Sequence, residues 1–288
     1  MPASNTAALT APAIRARKGG EPLVMVTAYD APSARMADEA GVDLILVGDS
    51  LAMVVLGHGD TLQVTVAEMA HHTAAAAAAR PRALLVADLP WMSYHLDPID
   101  SVKNAASLVR AGARAVKLEG GRKRLPMVSA ILAAEIPVMG HVGLTPQSLH
   151  ATGGYKVQGR GAEAAAEVLA DAVALAEAGC FCIVLEAIPA ALAREVTQAV
   201  TVPTIGIGAG RWCDGQVLVF HDLLGLEDRP PATFVRRYAS LKADAVAALQ
   251  HFVADVRARE FPAEAESYSD AQPVLGVVDG RRGGSKTA

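Results

Sequence analysis

Residues 83–119 read ALLVADLPWMSYHLDPIDSVKNAASLVRAGARAVKLE. The stretch opens on an apolar run, ALLVAD (83–88), that closes on Asp88, and ends on a second, AVKLE (115–119), that closes on Glu119. Between them SVKNAASLVRAG (101–112) carries helix formers with apolar residues at helical spacing and stops at a glycine. Strand, helix, strand in this order predicts two parallel strands joined by a crossover helix. A run of Val, Leu and Ala without polar interruption is a strand buried on both faces, so the acid at its end is the informative residue.

The same unit repeats outward in both directions. LILVGDS (44–50) runs into Asp49 and CIVLE (182–186) ends on Glu186. With further strands expected at 23–28, 137–141, 204–208 and 216–220, eight are counted. APSARMADEAG (31–41), the Ala-rich segment 66–80, RLPMVSAILAAE (124–135) and AEAAAEVLADAVALAEAG (162–179) supply helices between them. No G-x-G-x-x-G fingerprint follows the first strand, as a doubly wound dinucleotide fold would have. The expected fold is α/β, a single (β/α)8 TIM barrel, with its chemistry at the C-terminal strand ends where the four acids fall. Residues 1–20 are expected to be a flexible leader, 21–262 the barrel, with 232–258 one more amphipathic helix, and 263–288 a C-terminal tail.

Composition narrows the function. The 288 residues are 52% hydrophobic with a formal net charge of -4 and only 4% aromatic, which leaves neither a basic stripe nor stacking platforms for nucleic acid. No apolar run reaches the roughly 18 residues of a membrane span, so no membrane partner is expected. Cys180, Cys182 and Cys213 are too few and too irregularly spaced for a disulfide framework or a zinc site, which suits a reducing, cytoplasmic setting.

Buried carboxylates without partners cost several kcal/mol, so something must offset four of them at one barrel mouth. A hard divalent cation held by oxygens from different strands is the simplest candidate, and Mg²⁺ takes only one or two carboxylates plus water and substrate. Strand alternation puts Ala115, Lys117 and Glu119 on one face and Val116 and Leu118 on the other, so Lys117 and Glu119 share the mouth. Asp49, with the Ser50 hydroxyl beside it, and Asp88 have oxygens free to meet a cation, although a lone Asp at a strand end is often only a helix N-cap. Glu186 lies among Leu185, Ala187, Ile188 and Pro189, a neighbourhood suited to a general base rather than a ligand. His141, at the end of the fifth strand, is either a substrate contact or a satisfied core histidine. The loop GGYKVQGR (153–160) combines flexible glycines with Tyr155, Lys156 and Arg160, as a closing segment or an ordered surface loop would. TIGIGAG (204–210) is a weak phosphate-cradle pattern and carries no bet.

The strings MVTAYDAPSA, ILVGDSL, LLVADLPWMSY, AVKLEGG, PVMGHVGLTPQS, GGYKVQGR, IVLEAIP and IGIGAG with DGQVLVFHDLLGL follow one another in order from about residue 14 to about 260. Together they resemble the 3-methyl-2-oxobutanoate (ketopantoate) hydroxymethyltransferase family. The resemblance implies a barrel enzyme of pantothenate biosynthesis. It would transfer a one-carbon unit from 5,10-methylenetetrahydrofolate, its co-substrate, to the 2-oxo acid through a Mg²⁺-stabilised enolate, giving 2-dehydropantoate. It also implies Mg²⁺ as cofactor and a homodecamer whose other partners are small molecules. Position by position, it makes Asp49, Asp88 and Glu119 the metal site, Asp49, Ser50, Asp88 and Lys117 the substrate-binding residues, and Glu186 the proton acceptor. Two departures, His58 where the family usually has Tyr and Ala187 where a Cys often stands, touch none of these groups. The nearest enzyme alternative is a Mg²⁺ lyase or mutase of the phosphoenolpyruvate mutase and isocitrate lyase kind, but none of the three cysteines lies in a Gly-rich lid. A non-catalytic barrel that senses a 2-oxo acid would have little use for Lys117, Glu119 and Glu186 together.

Overall fold

The computed structural model describes residues 7–228 and 230–268. Eight parallel strands close into a barrel in chain order: β1 (Leu23–Thr27), β2 (Leu44–Val47), β3 (Leu84–Asp88), β4 (Ala115–Lys117), β5 (Val138–Gly143), β6 (Cys182–Glu186), β7 (Thr204–Ile207) and β8 (Gly215–Leu218), with β8 pairing back onto β1. All eight expected strands form, each within two residues of the expected ends.

Alternation divides the apolar residues into two cores. Leu23, Met25, Leu44, Leu46, Leu84, Val86, Ala115, Met139, Cys182, Val184, Ile205 and Val217 fill the barrel interior. Val116, Leu118, Ile45, Val47, Leu85 and Ala87 belong to the larger layer shared with the helices. The interior therefore rises on strand parity. Two residues above Val86 the inward position is Asp88, two above Ala115 it is Lys117, two above Met139 it is His141, and two above Val184 it is Glu186.

Local signals fix the helices. Asp30 and Ser33 make a capping box at Ala31–Glu39, Thr65 and Glu68 another at Val66–Ala77, and Asp97 with Pro98 at the first turn starts Pro98–Arg110. Gly179, at φ +105°, ends Ala162–Ala178. The connection from β7 to β8 carries no helix, and its seven residues 208–214 are held as a tight turn by Asp214, which accepts from the Thr204 N–H at 2.8 Å.

The expectation of a flexible leader over 1–20 is corrected for its described part, while residues 1–6 lie outside the described residues. Ala11–Arg15 is a short helix capped by Thr10, and its Ala11 and Ile14 are buried in the barrel interior beside the N-terminal ends of the strands. Lys18 fixes the following turn by an ion pair to Asp214 at 2.8 Å. A barrel leaves an apolar floor at its lower mouth, and this segment seals it.

The chain divides into two compact units, Met1–Ala239 and Ser240–Ala288, so the boundary falls before the expected 262. The final helix runs over Leu241–Ala258 rather than from 232. Of the expected tail, 269–288 lie outside the described residues. Among the described residues no helix is long and apolar enough to cross a membrane.

Candidate active site

At the C-terminal mouth of the barrel, Asp49, Asp88, Lys117, Glu119, His141 and Glu186 line one cavity of about 220 Å³, with Ser50 and Tyr155 towards its rim. Leu46, Val184, Ile207 and Val217 form its apolar floor. The first five of those polar side chains belong to residues only 2–5% exposed.

The three acids at the ends of β2, β3 and β4 share a pattern. One oxygen of each is tied by the protein and the other faces inward. Asp88 Oδ2 accepts the backbone N–H of Asp49 at 3.0 Å, and its Oδ1 faces the Lys117 ammonium at 3.1 Å. Glu119 Oε2 accepts the backbone N–H of Gln147 at 3.0 Å, and its Oε1 lies 3.8 Å from Lys117 Nζ and 3.5 Å from His141 Nδ1. Asp49 Oδ2 accepts from Gln147 Nε2 at 2.9 Å, and its Oδ1 has no hydrogen-bond partner among the described residues. On the far side His141 Nε2 meets Glu186 Oε2 at 3.3 Å. Ser50 is held by Tyr29, whose hydroxyl lies 2.9 Å from its Oγ.

Electrostatics follow from that count. Four carboxylates face two cationic groups, Lys117 and His141, in a space that excludes most water. Burial, then the charges of Asp88 and Glu119, hold the Asp49 carboxyl well above the usual carboxylate range. Burial raises Asp88 as well, although Lys117 works against it. Burial alone would lower Lys117, but Asp88, Glu119 and Asp49 push it up, so it stays charged. Burial and the Lys117 charge pull His141 down, yet the carboxylates of Glu119 and Glu186 on its two ring nitrogens win and hold it at about 9. Lys117 Nζ approaches His141 Nδ1 to 3.3 Å, and the surrounding acids offset the positive charge gathered there.

The His141 value gives a pH prediction. Its folded-state value lies above its ordinary 6.5, so its stabilisation is complete below pH 6.5 and is lost as pH rises through about 9. The loss amounts to about 3 kcal/mol at 1.36 kcal/mol per pH unit. Urea unfolding of the metal-free protein at pH 6.5 and 9.5 should show a drop larger by about that amount than in His141→Asn. Equal drops in the two proteins would remove His141 as the cause.

The backbone aims the base. Gly143, at φ +96°, brings the end of β5 so near β6 that a Cβ there would lie 2.3 Å from the Glu186 carbonyl oxygen. Ala187, directly after the base, is itself in the left-handed region at φ +46°, and its N–H is held by the Ile207 carbonyl at 2.8 Å.

All six residues expected at the site converge there. The expected metal set does not form a closed cage, because among the described residues no three His, Cys, Asp or Glu side chains stand together as a metal cluster. Lys117 lies between Asp88 and Glu119. The oxygens nonetheless suit a hard divalent cation. Asp49 and Asp88 are adjacent, Asp49 Oδ1 has no hydrogen-bond partner among the described residues, and negative charge is in excess, while an ion such as Mg²⁺ needs only one or two carboxylates. Gln147 and Tyr94 were missed. Both lie inside strings quoted for the resemblance, PVMGHVGLTPQS and LLVADLPWMSY, but uncharged side chains on loops give no periodic signal. His71 and His72 do not line the cavity, and the cysteines are buried away from it.

The sequence matches the family model described as ketopantoate hydroxymethyltransferase over residues 8–264. The 3-methyl-2-oxobutanoate hydroxymethyltransferase of Oleidesulfovibrio alaskensis is 56% identical over 266 residues, covering 92% of each chain. That of Moorella thermoacetica is 55% identical over 262 residues, covering 90% of this chain and 97% of its own. Among solved structures, phosphoenolpyruvate phosphomutase from Streptomyces platensis subsp. rosaceus superposes with TM-score 0.59 at 18% identity, covering 87% of this chain and 88% of that one. A 2,3-dimethylmalate lyase of the PEP mutase/isocitrate lyase superfamily does so with TM-score 0.57 at 19% identity, covering 91% and 92%. At those identities the likeness is one of fold, and it agrees with the closed parallel barrel. With the family model spanning nearly the whole barrel and relatives more than half identical along it, the chain belongs to the ketopantoate hydroxymethyltransferase family and is an enzyme of that type.

Proposed function

We propose that this enzyme transfers the one-carbon unit of 5,10-methylenetetrahydrofolate to C3 of 3-methyl-2-oxobutanoate, giving 2-dehydropantoate and tetrahydrofolate. The observation that carries the reading is the set of half-tied carboxylates of Asp49, Asp88 and Glu119 around Lys117, with Glu186 placed across His141 from them.

Asp49 and Asp88 are the residues that would hold Mg²⁺, with Glu119 completing the site. Such a cation supplies Lewis acidity, which acidifies the C3–H bond of a bound 2-oxo acid and stabilises its enolate. Lys117 holds a fixed positive charge beside the anionic oxygens of the substrate, and Ser50, oriented by Tyr29, supplies a hydrogen bond. Glu186 takes the C3 proton, and His141 holds its carboxylate in place. Water releases the methylene unit of the folate as formaldehyde, breaking both of its C–N bonds and leaving tetrahydrofolate. The C3 carbanion adds to the formaldehyde carbon, and the resulting alkoxide takes a proton to become the product's hydroxyl. Leu46, Val184, Ile207 and Val217 suit the branched alkyl end of the oxo acid, and a cavity of about 220 Å³ admits that acid but not the folate, which must approach from the rim. The same reading takes the enzyme as a cytoplasmic homodecamer, and its three free, buried cysteines support a reducing compartment.

Loss of the C3 proton in D₂O, followed by NMR with Mg²⁺ and then with EDTA, tests the first half. Adding methylenetetrahydrofolate tests the second. Metal-dependent exchange followed by 2-dehydropantoate supports the reading. Exchange without product moves the function to another acceptor, and absence of exchange with and without the folate overturns it.

A further inference from the structure

Tyr94 and Gln147 lie outside the residues to which the family resemblance gives a role, yet both are buried beneath the carboxylates. Their hydrogen bonds form a closed circuit. The Glu119 N–H donates to the Tyr94 hydroxyl at 3.1 Å, and that hydroxyl donates to Gln147 Oε1 at 2.6 Å. Gln147 Nε2 donates to Asp49 Oδ2 at 2.9 Å and to the Leu89 carbonyl at 3.0 Å, while the Gln147 N–H donates to Glu119 Oε2 at 3.0 Å. One residue on the loop after β5 thus grips acids that follow β2 and β4.

The circuit also removes an ambiguity. An amide side chain has two ends of similar shape, and the wrong one would turn an acceptor towards Asp49. Because the Tyr94 hydroxyl has already accepted the Glu119 N–H, its single proton is left for Gln147 Oε1. The two amide protons must then face Leu89 and Asp49.

We propose that Tyr94 and Gln147 are a positioning pair that orients Asp49 and Glu119, tying one oxygen of each so that the other is presented to the ligand. The pair acts through those acids and, among the described residues, makes no hydrogen bond to Glu186 or Lys117. This rests on the proposed reading of the acids as the divalent-cation and oxo-acid site.

Partners of this kind are worth roughly 10–100-fold in metal affinity. Mn²⁺ binding followed by EPR, without turnover, should weaken by that factor in Gln147→Met, which keeps the backbone N–H to Glu119, and by about 10-fold in Tyr94→Phe. KM for the oxo acid should rise in both, with kcat at saturating metal little changed. The double variant should lose less Mn²⁺ affinity than the two single losses combined, because part of the hydroxyl's effect passes through the amide. Folded single variants with unchanged Mn²⁺ affinity would overturn the proposal, and so would fully additive losses. Should Gln147→Met not fold, Tyr94→Phe alone decides by its Mn²⁺ affinity. Parent protein that binds no Mn²⁺ would instead overturn the reading of the acids.

Discussion

Glu186→Gln is expected to lower kcat by roughly 10²–10⁴, the usual worth of a positioned general base, while divalent-cation binding stays near the parent value. The substitution keeps the shape of the side chain, and its amide can still meet His141 Nε2, now 3.3 Å from the carboxylate. It removes the carboxylate's charge and with it the ability to take a proton. Among the described residues Asp49, Asp88 and Glu119 make no hydrogen bond to Glu186, so the acids that would hold the cation lose nothing. Exchange of the C3 proton with solvent should fall with turnover, since both need the same proton removed. Isotope exchange undiminished in the variant would refute the role, and loss of cation binding in step with kcat would show that Glu186 belongs to the ligand set instead.

Much of this site could be read before any coordinates. A buried parallel strand has to be apolar, so an acid at its end stands out. Four such acids at barrel strand ends point to one mouth, and the alternation of AVKLE correctly put Lys117 and Glu119 inside and Val116 outside. What sequence could not give was how the acids share their oxygens. That depends on Gln147 reaching 98 residues back to Asp49 and on Tyr94 beneath it, contacts set by the packing of three loops and by no local pattern. His141 was left open for the same reason, because its role comes from having a carboxylate on each ring nitrogen. The floor-sealing helix at Ala11–Arg15 looks like leader in the sequence because five residues are too few to show a helical period, and its burial depends on a barrel floor that only closure creates.

Lys117→Met should be the most damaging substitution for stability, at about 3–5 kcal/mol near neutral pH, the cost of stripping one partner from a buried ion pair. Methionine keeps the length and apolar stem of lysine, so the loss measures charge rather than packing. The Lys117 side chain is 5% exposed and lies 3.1 Å from Asp88 Oδ1, a buried oxygen with no other hydrogen-bond partner among the described residues. Removing the ammonium leaves Asp49, Asp88 and Glu119 facing one another with His141 alone opposite. The sign of the pH dependence follows. Burial already holds Asp49 and Asp88 above the usual carboxylate range, and losing the cation raises them further. A group whose folded-state value is raised stabilises the fold when protonated, and that stability is lost as pH rises through the folded value. The penalty in Lys117→Met should therefore shrink from pH 7.5 to pH 5, and at pH 7.5 added Mg²⁺ should recover part of it, since an ion that binds only the folded state stabilises by mass action. Activity should stay low even then, because the fixed charge beside the substrate is gone. Urea unfolding at the two pH values, with and without Mg²⁺, measures the stability changes, and turnover at pH 7.5 with Mg²⁺ measures the activity. A variant as stable as the parent at pH 7.5, or one whose deficit is the same at both pH values, would show that the acids are not held together by Lys117.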